Sequence, residues 1–76
     1  MLSVIISLNS KEVGFVDSVL LEEISFNEAK RVMLKWRERA YMISDPQEEF
    51  FVDIEYYDGD TEEFKNLQVT LKKLRI

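Results

Sequence analysis

No cysteine and no histidine occur in the 76 residues. That removes disulfide frameworks, zinc sites built on Cys or His, thiol nucleophiles and every catalytic relay through imidazole. Glycine occurs twice and proline once, too few for a collagen-like or disordered chain. Gly14 and Gly59 stand alone, so no glycine-rich phosphate loop is available, and the six Ser residues have no His to activate them. No window approaches the ~18 consecutive apolar residues of a membrane span. Met1–Leu8 has no basic stretch ahead of its apolar run, which ends at Asn9, so a cytoplasmic protein is expected.

What remains is ample for a core. The 46% hydrophobic content, with five Phe, three Tyr and Trp36, suits one small domain spanning 1–76. A chain this short buries only ~60% of its unfolded surface, which makes a homodimer a reasonable expectation.

Charge is uneven. Fifteen acids outweigh ten bases for a net charge of −5, yet the signs are segregated. Between Asp45 and Glu63 lie nine acids and no base, whereas Glu28 to Arg39 carries five bases against Glu28 and Glu38. Such a dipole can steer a charged partner or pair two halves of one fold.

Hydrophobic periodicity orders the elements. Ser25-Phe26-Asn27-Glu28 has the capping-box form, with a hydroxyl to accept from the amide three residues on and a Glu to reach back. Phe26, Ala29, Met33, Trp36, Ala40 and Ile43 follow at spacings of three and four, with Val32 beside them, and Pro46 ends the helix near Tyr41–Ser44. The period then changes to two, placing Phe50, Val52, Ile54 and Tyr56 on one strand face and Phe51, Asp53, Glu55 and Tyr57 on the other. Asp58-Gly59 suits a hairpin turn, so Thr61–Phe64 is expected to return antiparallel. Leu67, Val69 and Leu71 alternate further, while Phe64, Leu74 and Ile76 fall in the opposite phase, which calls for bulges near Lys65-Asn66 and Lys72-Lys73. At the other end, Ser3–Leu8 reads as a strand with Val4, Ile6 and Leu8 inward. Val13–Leu21 reads as a second through Val13, Phe15, Val19 and Leu21, a short helix being the alternative. The expected fold is α+β, a single helix packed on an antiparallel sheet in the order ββαββ.

Two surfaces are candidate partner sites. On α-helical geometry Lys30, Leu34, Arg37 and Tyr41 form a ridge beside the apolar stripe, a composition suited to interface anchors. The second is the acidic segment carrying Asp53, Glu55, Asp58, Asp60 and Glu62. A calcium loop does not fit it: with Gly59 at the sixth place of an EF-hand, Ile54 and Tyr56 would take the first and third places, where carboxylates are required. Asp53 and Glu55 share a strand face, but a catalytic carboxylate pair also needs a pocket, which so small a core rarely provides. No enzyme activity, cofactor or metal is expected. Direct nucleic-acid binding is disfavoured by a pI near 4.6. The sequence thus points to a small non-catalytic acidic module acting through protein contacts. The alternative is an acidic inhibitor that mimics nucleic acid in the basic groove of another protein.

Overall fold

The structure, a computed structural model, describes residues 1–73. Five elements follow one another: strand β1 (Leu2–Ser10), strand β2 (Gly14–Ile24), helix α1 (Phe26–Ile43), strand β3 (Phe50–Gly59) and helix α2 (Thr61–Lys73). The order is therefore ββαβα with two helices, which corrects the expected ββαββ fold with one. The α+β class stands.

The sheet has the order β2-β1-β3, with β1 antiparallel to both neighbours. α1 carries the chain from the β2 side to the β3 side. Alternation along β1 places Leu2, Val4, Ile6 and Leu8 on one face, all at most 1% exposed, where they meet Val52 and Ile54 of β3, Ala29, Met33 and Ala40 of α1, and Leu67 and Leu71 of α2. Both helices thus cover the same face of the sheet. Phe26, Val32, Trp36 and Phe64 pack around this core half-buried, whereas Ile43, expected on the stripe, is 44% exposed because the helix runs off the sheet at its end.

Local chemistry explains the boundaries. The Ser25 hydroxyl accepts from the Glu28 amide at 3.2 Å, and Ser44 closes α1 by donating its amide and its hydroxyl to the Ala40 carbonyl. The Glu28 carboxylate does not reach back to complete a capping box; it takes the Arg31 guanidinium one turn on. β2 is a strand, as preferred, and Val19 and Leu21 face the core half-buried. Its beginning differs from expectation: Val13 lies in the turn, 76% exposed, and Phe15 is 66% exposed. The register slips between Leu8 and Asn9 of β1, so an extra residue of β2 turns Phe15 to the other face.

The expected hairpin at Asp58-Gly59 is a strand-to-helix junction. Gly59 is still paired with Leu2, and the Asp60 carboxylate accepts from the amides of Glu62 and Glu63 at 2.9 and 3.2 Å, capping α2. Glu62 and Glu63 lie in the first turn and Lys72 and Lys73 in the last, each complementing the helix dipole. Lys65-Asn66 is helical, so no bulge is needed there. The phase assigned to Leu74 and Ile76 lies outside the described residues.

Candidate functional site

Because both helices lie on one side, the opposite face of the sheet is left without a layer among the described residues. The register fixes its content row by row. Asn9 stands between Phe15 and Phe51, Ser7 between Ser18 and Asp53, Ile5 between Leu20 and Glu55, and Ser3 beside Asp58. Along β3 this gives a column of three carboxylates opposite alternate residues of β1. Asp53 and Glu55 are two strand residues apart, about 6.7 Å, and Asp58 follows three residues on, across a bulge that brings it opposite Ser3. Leu20 and Ile5 are paired neighbours, and Phe15 lies on the same face two rows along β2, with Ser18 between; Leu20 is 43% exposed and Ile5 half-buried. Serines at Ser3 and Ser7 keep the centre of the face low.

Charge follows the layers. The three strands contain six acids (Asp17, Glu22, Glu23, Asp53, Glu55 and Asp58) and no Lys or Arg. Among the described residues every base except Lys11, in the β1–β2 turn, lies on a helix. The sheet face is negative and the helical layer carries the cations. One contact links the layers at the β2 edge: Arg39 of α1 donates to Asp17 at 3.0 Å and stacks over Trp36 with its guanidinium 5.2 Å from the ring centroid. The hydrogen bond from Arg39, with a second from the Ser18 amide, holds the Asp17 carboxyl below its ordinary pKa.

The nine acids from Asp45 to Glu63 do not form one hairpin surface. Asp45 accepts from the amides of Gln47 and Glu48, which shapes the α1–β3 connection. Glu48 accepts from the buried Ser10 hydroxyl, and Glu49 pairs with Lys11, tying that connection to the β1–β2 turn. Asp60 is a helix cap and Glu62 belongs to the turn it caps. Only Asp53, Glu55 and Asp58 share the open face. The Asp53 carboxylate also accepts from the neighbouring Ile54 amide.

The α1 ridge is graded. Lys30, Leu34 and Arg37 are half-buried, while Tyr41 is 80% exposed beside Met42 at 75%. Arg37 and Tyr41 border an open groove of about 600 Å³ floored by Phe50, Val52 and Leu71. Among the described residues no group of three Asp, Glu, His or Cys is placed to hold a metal ion, and no helix is long and apolar enough to cross a membrane.

Phe15, Leu20 and Ile5 were not singled out as partner residues from sequence. Phe15 is expected in the core from its alternation with Val13 and Val19, and the slip in the β1–β2 register turns it to the open face, beside Asn9. The available signal was the lack of any base or proline on β2, residues that usually blunt an exposed strand. Comparison with family models, with curated proteins and with solved structures gave no match for this chain.

Proposed function

We propose that the chain is a small non-catalytic binding module that engages a basic protein partner through the open face of its sheet. The observation carrying this reading is that one sheet face holds exposed or half-buried apolar side chains (Phe15, Leu20, Ile5) together with three carboxylates of β3 (Asp53, Glu55, Asp58), and that among the described residues the strands carry no Lys or Arg. Apolar contact supplies affinity, while charge complementarity selects the partner and speeds encounter. Single-stranded nucleic acid also stacks on aromatics of open sheets, but this face would repel the phosphates. An isologous homodimer through it would bring two negative faces together, which favours a different protein as the partner.

A second reading uses the same column: carboxylates set in a row favour occupation of a nucleic-acid groove on a basic protein. The two readings differ in what the apolar residues contribute. Capture of partners from cells of origin, with bound proteins identified, compares Phe15→Ser/Leu20→Ser, Asp53→Lys/Glu55→Lys and the ridge pair Leu34→Ala/Tyr41→Ala at two salt concentrations. Both sheet-face pairs should lose the same partner while the ridge pair retains it. Loss with the acidic pair alone, with steep weakening as salt shortens the screening length from ~8 Å, would favour mimicry. Loss with the ridge pair alone would overturn both.

A further inference from the structure

We infer that the occupant of the open sheet face is a cationic amphipathic α-helix of the partner, lying along the strands and completing a three-layer packing. This inference rests on the open face as binding surface and adds the shape of what covers it.

Three observations argue for a helix. The first is width. The axes of β2 and β3 are separated by two interstrand spacings, about 10 Å, which is the diameter of one helix with side chains. A single helix therefore spans the face from Leu20 to Glu55. The second is relief. Ser3 and Ser7 on the central strand are small and flank Ile5, so the middle of the face is a shallow trough between the Phe15–Leu20 side and the carboxylate side. The third is charge spacing. Asp53, Glu55 and Asp58 stand opposite Ser7, Ile5 and Ser3; the first two are about 6.7 Å apart, and the bulge at Tyr57 lets the third stand two residues further along β1. Cations at i, i+4 and i+8 of a helix are about 6.0 Å apart along its axis. Three Lys or Arg on one flank can then each meet one carboxylate, while the adjacent stripe at i+3 and i+7 turns toward Leu20 and Ile5. Such a helix is one the face selects for: an acidic helix is repelled, and an uncharged one leaves three carboxylates desolvated without partners.

Titration with synthetic peptides tests this. The probe is a 14-residue peptide with Leu along one helical stripe and Lys at i, i+4 and i+8 on its flank. The controls have the same composition with the stripe scrambled, or Glu in place of Lys. The stripe peptide should bind at least tenfold more tightly than the scrambled one, gain helicity in far-UV circular dichroism, and shift the amides of Ile5, Phe15, Leu20 and Glu55. Asp53→Lys/Glu55→Lys should weaken it at least tenfold, whereas Lys30→Glu/Lys35→Glu on the helical layer should not. Equal binding of the stripe and scrambled peptides at the same amides would overturn the helix and leave the open face as a binding surface. Absence of binding by both, or shifts confined to the outer edge of β2 or to α1, would overturn the helix and the face together.

Discussion

At the scale of single residues, the two glycines are positioned for different reasons. Gly59 ends β3 with φ +105°, and a Cβ there would lie 2.9 Å from the Leu2 Cα and closer still to the Met1 carbonyl oxygen. That close approach lets β3 stay paired to the end of β1 and release the chain at once into α2. Gly14 has a similar φ of +95° with nothing within 4 Å of the added atom, so it serves the turn alone. Gly59→Ala should therefore cost about 2–4 kcal/mol, combining backbone strain with overpacking. Gly14→Ala should cost about 1 kcal/mol, strain being partly offset by the lower entropy of the unfolded chain. Urea midpoints of the two variants decide it: equal losses would mean that the backbone around Met1 yields.

At the scale of elements, α2 is where pattern and context separate. Its signals are present in the sequence. Asp60 and Glu63 have the cap spacing, and Phe64, Leu67 and Leu71 recur at three and four. The same segment contains Leu67, Val69 and Leu71 at spacing two, which supports a strand until Val69 is found half-exposed on the helix surface. The conflict of phase at Phe64 was itself the mark of a 3.6-residue period. The cap has a measurable consequence. Asp60→Ala should lower stability by about 0.5–2 kcal/mol, and Asp60→Asn by much less, since the amide oxygen can still accept from the Glu62 and Glu63 backbone. Thermal unfolding followed by far-UV circular dichroism distinguishes them; equal losses would place the effect in the charge and not in the hydrogen bonds.

At the scale of the whole molecule, the segregation of charge becomes a property of layers. The helices carry more cations than acids on one side of the sheet, whereas Asp53, Glu55 and Asp58 stand on the other. Among the described residues the Asp17–Arg39 ion pair joins β2 to α1. The hydrogen bond from Arg39 holds the Asp17 carboxyl below its ordinary pKa. Its contribution to stability is therefore complete above the unfolded pKa and disappears as pH falls through the lowered folded value. The stability difference between the native chain and Asp17→Asn should be small but present at pH 7, because the pair is half-exposed, and should vanish in strong acid. Denaturant midpoints measured from pH 7 to pH 2 test this; a difference constant with pH would show that the variant acts through packing on Trp36 and not through charge.

The sequence by itself determined much of this protein. It fixed the α+β class, the N-cap at Ser25, the span of α1, the inward set Val4, Ile6 and Leu8, and the strand after Pro46, because each depends on neighbours within a few positions along the chain. Three outcomes belonged to the tertiary structure. The Asp58-Gly59 pair could turn either into a hairpin or into a helix, and contact with Met1 and Leu2, some sixty positions away, decided it. Phe15 could face either side of the sheet, and one slip of register against Asn9 sent it outward. The candidate surface depended on both: only when the last element becomes a helix on the side of Leu67 and Leu71 does the opposite face remain open, with its acids and apolar side chains brought together from three strands.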